Sequence, residues 1–86
     1  MLCWTDDAWE DYLYWSSYDK KLLKRLHILI KDTLRSPHNG IGKPEPLRGE
    51  LQGAWNRHID ATHRVIYTLR NDDVIILSAR SHYGDK

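Results

Sequence analysis

The spacing of apolar positions changes period about halfway along the chain. In the first half Ala8, Tyr12 and Trp15 recur at helical intervals with Trp9 and Leu13 beside them, which predicts a helix with one broad apolar face. Thr5 supplies an N-cap oxygen and Asp6 and Asp7 favour the positive end of the helix dipole, while Ser16-Ser17 marks the expected end. Asp19 caps a second predicted helix reaching Leu34, with Leu22, Leu26, Leu29, Ile30 and Leu34 as its inner stripe and Lys20, Lys21, Lys24 and Lys31 as its wet side. The segment 36–46 holds all three prolines, Asn39-Gly40 and Gly42, and reads as an ordered connection. Beyond it the period is that of strands: 54–59, 62–69 and 74–81, with hairpin-sized turns at Asp60-Ala61 and Asn71-Asp72-Asp73. Leu2–Thr5 is a further short strand, free to join the same sheet.

Helix, helix, then meander predicts an α+β fold for a single domain over residues 1–86: two N-terminal helices packed on one face of a twisted, mainly antiparallel sheet. The opposite face is then available for function. Strand alternation separates His63, Val65, Tyr67 and Leu69 from Arg64, Ile66 and Thr68, so Arg64 faces away from the helix-covered core. Arg80 and His82 share a parity opposite to Ala79 and Tyr83, unless a bulge near the chain end re-aims one of them.

Composition narrows the functional classes. A formal net charge of +1 argues against gripping nucleic acid by bulk electrostatics, so any RNA site must be local. Four Trp and five Tyr with no Phe make an aromatic core whose N–H and O–H groups need partners, some of them on another protein. The lone Cys3 excludes an internal disulfide, the N-terminus lacks the pattern of a signal peptide, and no apolar run is long enough to span a bilayer. A cytoplasmic protein without a membrane association is the expectation.

The stretch GKPEPLRGE at 42–50 holds one carboxylate, Glu45, between Pro44 and Pro46, with Lys43 and Arg48 close by. The prolines bias Lys43 and Glu45 toward extended backbone. With Arg57, Arg64, Arg80, His82 and Tyr83 this gives an acid, cations, an imidazole and a phenol, an inventory suited to metal-free RNA cleavage. Attack of a ribose 2′-OH on the adjacent phosphorus needs a base, positive charge for the crowded phosphorane, and an acid for the departing 5′-oxygen. Glu45 suits the first role, Arg64 and its neighbours the second, and His82 the third. Taken one at a time, the same residues also fit a solvated loop glutamate, a surface arginine and a strand-end His-Tyr. His58, His63, Cys3 and His82 match no compact zinc-ligand spacing, so neither a metal nor another cofactor is expected.

Several motifs in order, KPEPL at 43–47, GELQGAW at 49–55, HRVIY at 63–67, SARSHY at 78–83, AWEDYLYW at 8–15 and LIKDT at 29–33, resemble the YoeB/Txe toxins of the RelE superfamily over essentially the whole chain. The resemblance implies a microbial-RNase-like fold, a ribosome-dependent endonuclease that cuts mRNA in the A site, inhibition by a YefM-like antitoxin, frequent homodimers, and contact with operator DNA only through the antitoxin complex. Carried over, it implies Glu45 as general base, Arg64 as phosphate-stabilising cation, His82 as general acid and Tyr83 as the aromatic beside the scissile nucleotide. Lys43, Arg48, Arg57, His58 and Arg80 are the expected RNA or ribosome contacts. Arg48 stands where the family commonly has lysine. Asn56-Arg57-His58 replaces its usual serine-arginine-arginine, and Gly84-Asp85-Lys86 follow its usual His-Tyr end. The rival from another class is a non-catalytic module, either a ribosome-binding inhibitor or half of an antitoxin-bound repressor.

Overall fold

A computed structural model describes residues 1–80 of the 86. The chain runs β1 (Leu2–Trp4), α1 (Asp6–Tyr18), α2 (Lys20–Arg35), β2 (Glu45–Pro46), a 3-10 turn (Gly49–Leu51), β3 (Ala54–His58), β4 (Arg64–Arg70) and β5 (Asp73–Ser78). The five strands form one sheet in the order β1-β5-β4-β3-β2; β1 lies parallel to β5 and the other pairs are antiparallel. The α+β architecture is the expected one, and the N-terminal strand joins the sheet.

Local chemistry explains the helix boundaries. Thr5 Oγ1 accepts from the Ala8 amide at 3.1 Å and donates to the Leu77 carbonyl at 2.9 Å, so one hydroxyl both starts α1 and ties it to β5. Asp19 ends α1, its amide reaching the Trp15 carbonyl, and starts α2, its carboxylate accepting from the Leu22 amide. Ser16-Ser17 does not end α1: Ser16 Oγ donates to the Leu13 carbonyl at 2.8 Å, which satisfies the serine within the helix, and α1 runs on to Tyr18.

The main core lies between the helices and the sheet. Ala8 and Trp15 of α1 and Leu26, Leu29 and Ile30 of α2 pack on Val65, Tyr67, Val74 and Ile76. Full burial of each such leucine or isoleucine contributes about 1.5–3 kcal/mol. Leu34, expected in the inner stripe, is instead 45% exposed, and Trp9 and Leu13 are exposed as well. The last turn of α2 buries Thr33, whose hydroxyl donates to the Leu29 carbonyl. The opposite face of the sheet is partly covered: Leu47, Ala54 and Ile66 form a second small cluster with Leu51 and Leu77 against them, because the chain from β2 through the 3-10 turn folds over that face.

The strands are shifted by one to three residues from their expected limits, most at the end of β5, which stops at Ser78. β4 begins at Arg64 because Asp60 Oδ1 takes the amides of Thr62 and His63 and closes the turn before it. Burial pushes the Asp60 carboxyl up, but those two amides outweigh it and its pKa is lowered.

The connection between α2 and β2 is held by Arg57, which is fully buried. Its Nη1 donates to Asp32 Oδ2 at 2.7 Å and to the Ile41 carbonyl at 3.2 Å, its Nη2 to the Ser36 and Asn39 carbonyls at 2.6 and 3.0 Å, and its Nε to Tyr67 Oη at 3.2 Å. Tyr67 Oη donates onward to the Pro37 carbonyl, and Asp32 Oδ2 also accepts from the Ile41 amide. Gly40 passes so close, at φ 124°, that a Cβ there would lie 1.9 Å from Asp32 Oδ2. The expected ordered connection is therefore a loop wrapped around one guanidinium. Arg57, expected as an RNA contact, is corrected by its burial: β3 alternation aims it at the core, where carbonyls, a carboxylate and a phenol take its donors.

Arg35, the Ile41 amide and Arg57 hold the Asp32 carboxyl far below the usual carboxylate range, against the opposing effect of burial. The folded chain then binds fewer protons than the unfolded one as pH falls below about 4, so stability is lost on acidification through that range. Asp32→Asn is expected to be less stable at neutral pH and to lose less stability below about pH 4; urea unfolding at a series of pH values checks this, and parallel pH curves would contradict it.

Candidate active site

Strand register gathers the candidate side chains on the helix-free face. Glu45 of β2 lies opposite Asn56 of β3, and Asn56 opposite Ile66 of β4; two residues along, His58 lies opposite Arg64. Directly paired residues project to the same side, so Glu45, Asn56, His58 and Arg64 share a face with the small Leu47–Ala54–Ile66 cluster. His58 Nε2 stands 3.9 Å from Glu45 Oε1.

The approach to Glu45 differs from the expected one. Lys43 does not adopt the extended backbone usual before proline but sits at φ 53°, in the left-handed region. The His58 amide donates to the Gly42 carbonyl at 2.7 Å, and Gly42, at φ 79°, packs with its Cα against Leu29 so closely that a Cβ would come within 2.7 Å of Leu29 Cδ2. The chain is pinned by β3 just before Lys43 and must turn there to lay Pro44–Pro46 along β3. A non-glycine residue in this region costs on the order of 1–3 kcal/mol, held in place by the surrounding contacts.

Among the described residues, two buried polar atoms on this face lack hydrogen-bond partners: Arg64 Nη1 and Asn56 Oδ1. An unpaired buried donor of a guanidinium is costly, and such groups in native proteins call for a functional explanation. Arg64 carries its charge on this face with one guanidinium N–H covered by protein and, among the described residues, without an acceptor. Charge-based reasoning passes over Asn56, which is 5% exposed and lies directly across from Glu45. The available signal is the alternation of β3, in which Arg57 inward forces Asn56 and His58 outward.

The other expected contacts are dispersed. Lys43 and Arg48 are exposed on either side of β2, and Arg48 helps line an open depression with Leu47, Gln52 and Trp55. Arg80 lies beyond the end of β5, where the Ala79 amide donates to Asp11 Oδ2 and the Ala79 carbonyl accepts from Trp15 Nε1. These α1 side chains replace a strand partner, and the Arg80 guanidinium stacks 3.6 Å from the centre of the Tyr14 ring on α1. Arg80 is thus engaged on the helix side while remaining exposed. His82 and Tyr83 lie outside the described residues. Among the described residues no helix is long and apolar enough to cross a membrane.

A sheet face with a carboxylate, an imidazole and an unpaired guanidinium, backed by two helices, can be compared with known proteins. The family model for the YoeB-like toxin of bacterial type II toxin–antitoxin systems matches residues 4–83. The chain belongs to the YoeB-like toxins. It is 46% identical over 82 residues to Toxin YoeB of Escherichia coli (strain K12), a match covering 95% of this chain and 98% of that one. Among solved structures, the toxin fold in a heterotetrameric YoeB–YefM toxin–antitoxin complex from Staphylococcus aureus superposes with a TM-score of 0.89 at 37% identity, over 96% of this chain and 97% of that one. A YoeB dimer from the same organism gives a TM-score of 0.88 at 37% identity, over 95% of each chain. The YoeB-like match spans the site as well as the scaffold, since residues 4–83 include Glu45, Arg64, His82 and Tyr83.

Proposed function

We propose that this chain is a ribosome-dependent endoribonuclease, the toxin of a type II pair, which cuts mRNA in the decoding A site by transesterification. Glu45 takes the proton of the ribose 2′-OH, the 2′-oxygen attacks phosphorus, Arg64 neutralises the phosphorane, and His82 protonates the departing 5′-oxygen. The products are a 2′,3′-cyclic phosphate upstream and a 5′-OH downstream, and the step needs side chains alone. Tyr83 stacks on the scissile nucleotide, while Lys43, Arg48, His58 and Arg80 contact RNA backbone. The observation that carries this reading is the placement of Arg64 on the same sheet face as Glu45, with no acceptor for its Nη1 among the described residues.

The proposed partners are a YefM-like antitoxin, the cytoplasmic ribosome with mRNA, and a second copy of this chain; operator DNA is reached only through the antitoxin complex. The YoeB–YefM complex and the YoeB dimer of S. aureus support the antitoxin and the homodimer.

Mapping of mRNA 3′ ends after expression without antitoxin tests the proposal. Cuts at defined codon positions are expected, whereas stalled but intact messages would make the chain a ribosome-binding inhibitor. Glu45→Gln is expected to slow cleavage about 100-fold, the low end for loss of a general base. A rate on programmed ribosomes equal to that of the wild type removes Glu45 from the chemistry.

A further inference from the structure

Glu45 alone is a poor base for this reaction. Its side chain is 64% exposed and, among the described residues, its ion-pair partner is His58. Efficient general bases titrate near the working pH, and carboxylic acids in peptides titrate near ~4.3 whereas imidazoles titrate near ~6.5. His58 is where the base half of the site is otherwise deficient.

We infer that His58 shares the abstracted proton with Glu45, so that the base in this chain is an imidazole–carboxylate pair. The inference rests on the cleavage reading and deepens it. Its support is positional. His58 projects from β3 on the side of Glu45, with Nε2 3.9 Å from Oε1, and its ring is 31% exposed, open to a substrate hydroxyl. The charged groups facing it from the neighbouring strands are Glu45 on β2 and Arg64 on β4. On the loop side, its own backbone amide fixes the Gly42 carbonyl, with Lys43 next in the chain. Anchored at its main chain and opposite Arg64, the imidazole sits between the carboxylate that receives the proton and the cation that receives the phosphate.

The step balances without a co-reactant. The 2′-O–H bond breaks and its proton passes to the Glu45–His58 pair; the 2′-O–P bond forms, the P–O5′ bond breaks, and the 5′-oxygen takes a proton from the acid. The pair then returns its proton to solvent. Arginine at position 58 would hold the phosphate more firmly but accepts no proton at any working pH.

Single-turnover cleavage on programmed ribosomes at saturating toxin, from about pH 5.5 to 8.5, separates these roles. His58→Gln is expected to lower the rate about ten- to 100-fold and to remove a rate limb in the imidazole range, a larger effect than the loss of one RNA contact has on the half-saturating toxin concentration. His58→Arg is expected to retain or tighten half-saturation yet leave the rate low. Glu45→Gln combined with His58→Gln is expected to cost less than the product of the two single losses, because both act on one proton. Thermal melts confirm that each variant is folded. A His58→Gln profile parallel to that of the wild type, or a His58→Arg rate equal to it, overturns the inference while leaving the cleavage reading intact. Uncut message with the wild-type toxin overturns both.

Discussion

Arg64→Ala is expected to slow cleavage of ribosome-bound message about 100- to 1000-fold, a loss of about 2.7–4 kcal/mol of transition-state stabilisation. The size follows from where β4 puts the guanidinium. Val65 and Tyr67 on either side of Ile66 face the helices, so Arg64 is displayed on the helix-free face opposite His58, with β3 between it and Glu45. Its Nη1 is covered by protein. A fixed guanidinium charge on this face stabilises a phosphorane in surroundings that already exclude part of the water. Because Nη1 has no acceptor among the described residues, truncation breaks no described hydrogen bond at this atom, and the thermal midpoint is expected to change by only a few degrees. Arg64→Lys keeps the charge but not the fork, so an intermediate rate is expected. Single-turnover rates at saturating toxin isolate the chemical step; an Arg64→Ala rate within about threefold of wild type would remove Arg64 from the transition state.

The same strand shows how much of the site can be read from sequence. The alternation around Val65 and Tyr67 gives Arg64 its face without any tertiary information, and the caps at Thr5 and Asp19 fix both helices, because these depend on neighbours a few residues away. The exceptions arise where distant groups decide. Isolated patterning puts Leu34 in the stripe of α2, but the core beneath the last helical turn accommodates Thr33 instead. Lys43 reads as extended before Pro44, and it is the His58 amide on the Gly42 carbonyl that forces the left-handed turn. Arginine is ordinarily exposed, so Arg57 reads as a nucleic-acid contact until the carbonyls of a loop 16 to 21 residues earlier are found around it. The resemblance to YoeB/Txe toxins names the family but does not distinguish an arginine on the helix-free face, such as Arg64, from one that is buried and holds the loop before Glu45, as Arg57 does.

Arg57 therefore supports a second large prediction, on stability rather than on RNA. Arg57→Ala is expected to destabilise the fold by about 3–5 kcal/mol, since it removes a fully buried side chain, leaves several loop carbonyls without their donor and takes from Asp32 one of its two arginine partners. At about 4–8 °C per kcal/mol for a domain of this size, the melting midpoint falls by roughly 12–40 °C. Arg57→Lys is expected to recover only part of this, because one ammonium cannot span Asp32, Ser36, Asn39, Ile41 and Tyr67. The loss should reach the active site through the chain: a slack 36–42 loop frees Gly42, then Lys43, and with them the placement of Glu45. Below its own melting transition the Arg57→Lys variant is thus expected to bind ribosomes with near wild-type affinity and salt dependence while cutting more slowly. An RNA-contacting arginine predicts the reverse, weaker binding with an unchanged melt. Tryptophan fluorescence melts and ribosome titrations on the same samples decide between them; a destabilisation of Arg57→Ala below about 1 kcal/mol would mean that the buried guanidinium does not hold the loop.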